Sequence, residues 1–426
     1  MKNIFSYLKQ KLTNPKGLLL LIVLVAFLIR LYRLDQPNTF YFDEVYHAFT
    51  AKEILNGNIK AWEWWNTPPA GFAYEWSHPP LAKLLMAAGM TIFGQNPLGW
   101  RLPSVILGSL TSVLIFFISK YLFKRNLIGL FGAFIFSFET LAFTQSRIGM
   151  NDTYFLFFFL ASLLFFLKDK WFFASIFLGL ALASKWTAVY ALPFFGLIIL
   201  IKSVNLKNKN YKNLLLKELI PFPVFFLIIP VLIYILSYLP LLIAHDFNIF
   251  WGLQKQMYWY HTSLTATHPF WSPWWSWPLD IRPIWYFSQS VNGKVSNIFA
   301  IVHPVIAWTG LVAIAASIFE IIYRKKHNLL IVLLGFLAFW LPWAFSPRIM
   351  FIYHYLPSIP FLVMMTAYFL AKIYSKFKII TIIYLLIIVL TFIYFYTFIS
   401  AFPSSSSWHE SHFWVPTWKP GGSIFH

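Results

Sequence analysis

Apolar runs long enough, or nearly so, to cross about 30 Å of hydrocarbon recur along most of the chain. They lie at 17–33, 102–123, 126–143, 153–167, 171–183, 186–201, 219–243, 297–322, 328–345, 349–371 and 378–399. Read as helices, these predict eleven spans, with the third to sixth short or tightly spaced. The breaks between them fall into two kinds: short and rich in lysine, or long and rich in aromatic residues. Two long stretches stand out, 34–101 and 244–296, followed by a tail from about 401.

Basic residues give these breaks a side. With the N-terminus inside, the inner face receives Lys2, Lys9, Lys11, Lys16, Lys120, Lys124, Arg125, Lys168 and Lys170. It also receives Lys202, Lys207, Lys209, Lys212, Lys217, Arg324, Lys325, Lys326, Lys372, Lys376 and Lys378. That is 20 of 33 basic residues packed into short loops, and the positive-inside rule supports both the count and the orientation. The outer stretches hold nine of the 14 acidic residues.

Composition agrees with the pattern. The chain is 59% hydrophobic, 21% aromatic and only 11% charged, which points to an all-α polytopic membrane protein. The net charge of +19 is topology signal, and no nucleic-acid partner is implied. Without cysteine, disulfides and thiolate metal sites are excluded. Segment 17–34 is too long for a cleaved signal peptide and reads as a retained first span. Leu81–Phe93 reads as an amphipathic helix lying along the interface. Trp62, Trp64, Trp65 and Trp76 suit an aromatic belt, and Ser404–Ser407 reads as loop.

The candidate chemistry sits at the outer ends of the spans. Asp43 and Glu44 form an acidic pair in a chain poor in acid, preceded by Tyr41-Phe42, which draws it toward the membrane surface. A carboxylate there can take a proton from a hydroxyl nucleophile; pairing with Arg30 or Arg33 is the plainer alternative. Arg147 follows Glu139 and precedes Asp152, and a guanidinium fork matches phosphate oxygens unless it pairs with one of those carboxylates. Lys185 and Arg348 are further phosphate candidates, with His354 close by. His78 and Lys83 in the first outer stretch, and His268 and Arg282 in the second, are candidate pocket residues. The aromatic-dense loop 256–285 suits stacking on sugar faces or covering a pocket. His47, His78, His261 and His268 have no spacing typical of metal ligands, so a divalent metal is optional and no cofactor is required.

The ordered set Phe42-Asp43-Glu44-Val45, His78-Pro79-Pro80-Leu81-Ala82-Lys83, Gln145-Ser146-Arg147 with Asp152, Ser184-Lys185-Trp186, Thr267-His268-Pro269 with Ser272 and Trp277-Pro278, and Tyr353-His354-Tyr355-Leu356-Pro357 resembles the protein O-mannosyltransferase family, glycosyltransferase family 39. The resemblance implies a GT-C fold, with 1–400 as the transmembrane catalytic domain and 401–426 as an outer tail. It implies inverting transfer of mannose from a polyprenyl-phosphate donor to Ser or Thr hydroxyls of exported proteins at the outer face of a bacterial plasma membrane. Asp43 matches the catalytic acidic position, with Glu44 beside it, and Arg147 a basic residue associated with the lipid phosphate. Membrane lipid and the secretion translocon are the further partners to expect. The stretch 244–296 is too short for the β-trefoil domain of eukaryotic members, so the chain resembles the bacterial branch. Within the same fold, another lipid-linked sugar or a lipid or polysaccharide acceptor is the alternative. A lipid-linked sugar transporter fits less well, because the charges gather at one face.

Overall fold

The computed structural model describes residues 14–205, 216 and 220–422. Of the residues expected at the inner face, Lys2, Lys9, Lys11, Lys207, Lys209, Lys212 and Lys217 lie outside the described residues.

The first span, Pro15–Leu31, starts where the Asn14 side chain accepts a hydrogen bond from the Gly17 N–H and Pro15 takes the first helical position. The longest helix, Pro97–Phe123, repeats the device with Asn96 and Pro97, and ends on Lys124 in the left-handed region. Six helices among the described residues are long and apolar enough to cross a membrane. Five shorter apolar helices accompany them, among them Asn126–Ser137, Asp152–Leu167 and Trp171–Leu182. The chain is therefore a multi-pass integral membrane protein. One large core runs through it, built mostly from Phe, Leu and Ile of the central helices. Its fully buried members include Phe136, Phe155 and Phe159.

Four expectations need correction. The run 297–322 is not one helix. Residues Lys294–Ala300 form strand β2, and the helix Pro304–Arg324 begins only after a His303 cap. β2 pairs antiparallel with β1, Ile284–Val291, across the two-residue turn Asn292-Gly293, where both residues have positive φ. Asn-Gly is the strongest short hairpin signal a sequence offers, but a neighbouring apolar run of span length masked it.

The serine run is not plain loop either. Ser404–Ser405 forms β3 on the edge of the same sheet, and Ser406–Glu410 is a short helix. The tail packs back onto the sheet region. Trp418 is fully buried, and the Arg282 guanidinium donates to the carbonyls of Thr417, Lys419 and Pro269. Arg282 is thus a clasp for the tail.

The third correction concerns the aromatic loop, whose first part is helical, Phe247–Ser263. Trp62 is not an interfacial anchor. It is buried against Tyr234, Tyr238, Leu253 and Met257, with Trp64 and Trp76 packed beside it. Leu81–Phe93 is helical as expected and lies against Pro97–Phe123.

Candidate active site

A cavity of about 1440 Å³ opens at one end of the helices. Five separate parts of the sequence build its polar end: Asp43 and His47, His78, Asp152, Lys185, and Arg348 with His354. Backbone bonds tie these parts together. The Leu81 N–H donates to the Ala183 carbonyl at 2.9 Å, joining the His78 segment to the Lys185 segment. The Ser272 N–H donates to the Met350 carbonyl at 2.9 Å, joining the second outer stretch to the Arg348 segment.

Asp43 sits on a single 3-10 turn, Phe42–Val45, and its two neighbours fix it. Phe42 holds a left-handed φ of 48° and stacks on Tyr286 with ring centroids 4.0 Å apart. A bulky side chain in that region is strained, and such strain persists where the surroundings over-determine it. On the other side Glu44 is fully buried and bound by Arg101. Its Oε1 also accepts the Gly149 N–H at 2.9 Å. A Cβ on Gly149 would stand 3.1 Å from the Trp100 ring and 3.2 Å from Ala48, so a side chain there would press on both neighbours where the backbone approaches Glu44. Glu44 therefore positions the turn, while Asp43 faces the cavity. Burial raises the Asp43 carboxyl to about 7, with the negative charges of Asp152 and Glu75 adding to the effect and Lys185 and Arg348 opposing it.

Two cations face that carboxyl. The Lys185 ammonium is 2.7 Å from Asp152 Oδ1 and lies over the Tyr353 ring. Arg348 lies 4.9 Å over the Tyr260 ring and contacts His261 Nδ1, leaving its own Nε without a partner. Away from these charges the cavity wall turns apolar, with Val231, Ile235, Phe250 and Trp251.

Arg147 is not part of this cavity. Its guanidinium donates to the carbonyls of Arg30 at 2.7 Å, Tyr32 at 2.8 Å and Arg33 at 3.2 Å, capping the end of the first span. It pairs with neither Glu139 nor Asp152. Glu139 instead caps the helix Thr140–Gln145 through the N–H groups of Leu141 and Ala142, and accepts the His303 N–H at 3.0 Å. Arg30 and Arg33 leave the acidic pair alone as well; Arg30 bonds Ser146 Oγ at 2.9 Å. His268 accepts the Phe270 N–H and packs edge-on against Phe351, outside the cavity lining. His354 does line it, wedged between Trp343 and Tyr353.

A third cluster flanks Asp43. His47, Glu75 and His78 bring ligand atoms within 4.8 Å of one another. Burial pushes His47 down to about 4 and His78 well below the ordinary value. Burial alone would raise the Glu75 carboxyl, but Lys83 and His47 outweigh it and hold the group below its usual value. The Lys83 ammonium lies 2.7 Å from Glu75 Oε2 and 2.9 Å from the His78 carbonyl, and Ser77 bonds the other carboxylate oxygen. The ammonium already takes the place of a cation there. Lys83 is thus a support beneath His78 rather than a cavity residue.

Sequence reasoning missed Arg101 and Glu75. Arg101 is the last residue of the stretch 34–101, one position before the predicted span 102–123, with no motif around it, and Glu75 carried no pattern beyond its charge. It also missed the chain Trp186–Tyr234–Gln254, in which Trp186 Nε1 donates to the Tyr234 hydroxyl at 2.9 Å and that hydroxyl donates to Gln254.

Residues 246–418 match the family described as the C-terminal four TMM region of protein-O-mannosyltransferase, and residues 77–234 match Dolichyl-phosphate-mannose-protein mannosyltransferase. A Mycolicibacterium smegmatis protein named polyprenol-phosphate-mannose–protein mannosyltransferase is 24% identical, over 94% of this chain and 92% of that protein. The fold is similar to a chain of the Saccharomyces cerevisiae protein O-mannosyltransferase Pmt1-Pmt2 complex bound to the sugar donor. The TM-score is 0.82 at 15% identity, covering 98% of this chain and 95% of that one. It is also similar to ArnT from Cupriavidus metallidurans bound to undecaprenyl phosphate, with TM-score 0.57, 15% identity and coverage of 88% and 64%. The architecture is the GT-C fold, and with regions of one family matching residues 77–234 and 246–418 the chain belongs to the protein O-mannosyltransferase family of membrane glycosyltransferases.

Proposed function

We propose that the enzyme transfers mannose from a polyprenyl-phosphate-mannose donor to Ser or Thr hydroxyls of proteins, with inversion, at the outer face of the membrane. The observation that carries this reading is one cavity holding an acid raised to about 7, Asp43, opposite two cations, Lys185 and Arg348, beside an apolar wall. The names of the relatives support the donor and the acceptor class.

The chemistry needs two services. A hydroxyl oxygen attacks the anomeric carbon while the bond from that carbon to the phosphate oxygen breaks, and the hydroxyl proton passes to Asp43. The departing phosphate gains charge, which Lys185 and Arg348 neutralise. Phosphate is a good leaving group, so no acid has to protonate it. Attack opposite the leaving group inverts the anomeric centre. The apolar wall takes the first part of the lipid chain, so the phosphate stays at the level of the span ends. Lysine-rich loops at the other end of the spans support an outer position for the cavity.

The test incubates purified protein in lipid nanodiscs with radiolabelled polyprenyl-phosphate-mannose and a Ser/Thr-rich peptide. Label in the peptide, lost on Asp43→Asn, is the expected result. Label in a lipid product instead favours the lipid-acceptor alternative, and label crossing the membrane still attached to its carrier favours transport.

A further inference from the structure

The cavity wall contains a carboxylate oxygen that nothing in the protein satisfies. Asp152 is 2% exposed, and its Oδ1 takes the Lys185 ammonium at 2.7 Å. Its Oδ2 is buried and has no hydrogen-bond partner. The adjacent Asn151 amide is turned to the Ser184 carbonyl, so it does not fill the gap. A buried acceptor without a donor is costly unless a ligand supplies one. Asp152 lines the same cavity as Asp43, Lys185 and Arg348, where the ligand enters.

Resting on the mannosyl-transfer reading, we infer that Asp152 Oδ2 accepts a hydrogen bond from the C2 hydroxyl of the transferred sugar and so selects the sugar. The spacing supports this choice of hydroxyl. Lys185 has three N–H donors; one goes to Asp152 Oδ1, leaving two for the donor phosphate. In a sugar phosphate the C2 hydroxyl sits on the carbon next to the one bearing phosphate. A carboxylate held directly against the phosphate-binding ammonium therefore meets that hydroxyl before any other. A configuration that turns the C2 hydroxyl away leaves Oδ2 unpaired, which is how sites of this kind reject close analogues.

The test is a cycle between enzyme and substrate. Polyprenyl-phosphate donors carrying mannose, 2-deoxymannose and 4-deoxymannose are assayed with the wild type, Asp152→Asn and Asp152→Ala. Removing the C2 hydroxyl lowers wild-type kcat/KM, relative to its effect on the variants, on the order of 10- to 100-fold, the range for a hydrogen bond to a charged group. The higher intrinsic reactivity of a 2-deoxy donor is common to all three enzymes and cancels in that ratio. Removing the C4 hydroxyl costs all three the same. A ratio of one for the C2 hydroxyl overturns the inference and leaves mannosyl transfer standing. A wild type that transfers none of the sugars overturns the functional reading and this inference with it. If neither variant folds, the thermal shift given to wild type by the mannosyl donor and by its 2-deoxy-2-fluoro analogue decides. Equal affinities overturn the inference, and 10- to 100-fold weaker binding of the fluoro donor upholds it.

Discussion

The Arg101 guanidinium grips both oxygens of the Glu44 carboxylate, at 2.8 and 2.7 Å, and solvent reaches neither side chain. Arg101 also donates to the carbonyls of Leu34, Pro37 and Thr39, so one side chain ties the first outer stretch to the longest helix. Breaking a buried pair from one side leaves an uncompensated charge. Arg101→Ala is therefore expected to cost about 3–5 kcal/mol, read as a large fall in Tm in detergent. Glu44→Gln keeps an acceptor for Gly149 and should fall less. A Glu44→Gln protein with wild-type Tm and no activity would instead give Glu44 a direct part in the chemistry.

Asp43 behaves in the opposite way. Its carboxyl is raised from 3.8 to about 7 chiefly by burial. As a base it must be ionised, so kcat/KM should fall as pH drops through about 7. The sign for stability is reversed: a raised carboxyl favours folding at low pH, and that contribution is lost as pH rises through about 7. Asp43→Asn removes the penalty. Its Tm should exceed that of wild type by a margin that grows from pH 4 to pH 7 and then levels, while activity falls roughly 10²–10⁴-fold. A well-folded Asp43→Asn enzyme with near-normal turnover excludes the base role.

Arg147 tests a different kind of contact. Its bonds go to backbone carbonyls at the end of the first span, not to the cavity. Arg147→Ala should lower Tm and leave donor KM within about twofold of wild type in the fraction that folds, since no phosphate contact is removed. A selective rise in donor KM would return Arg147 to the donor site.

Lys185 and Arg348 line the cavity and are the phosphate partners we propose. Removing either charge should weaken donor use by roughly 1.5–3 kcal/mol, and part of the loss should appear in kcat because the phosphate gains charge as it leaves. Arg348→Lys should restore only part of the activity, lacking the planar fork. Steady-state kinetics with varied donor, at saturating peptide, separates the two effects.

Orientation can be read cleanly because the chain has no cysteine. Ser407→Cys and Lys325→Cys place single exposed thiols beyond opposite ends of the spans. An impermeant maleimide on intact cells should label the first and not the second. Equal labelling of both would break the inside–outside assignment.

Much of the molecule was legible from sequence because a bilayer imposes local rules. Apolar length marks the spans, and the positive-inside rule reads lysine as the inner side. The cavity residues Asp43, Asp152, Lys185 and Arg348 were also legible, since charge beside an apolar run needs a reason, and His78 and His354 through the motifs that hold them. Where each charge sits, and what it bonds, was decided only by the fold. Arg147, Glu139, Lys83 and Arg282 have the same sequence credentials as the cavity residues. In space they cap a helix end, cap a helix start, brace a carboxylate and clasp the tail. Local pattern tells that a charge must be satisfied, but its partner lies tens or hundreds of residues away. Arg101 and Glu44 are 57 positions apart, and Arg147 reaches a carbonyl 117 positions upstream. The β1–β2 hairpin was hidden for the same reason: an apolar run is equally good as membrane helix or buried strand until neighbours claim its backbone bonds.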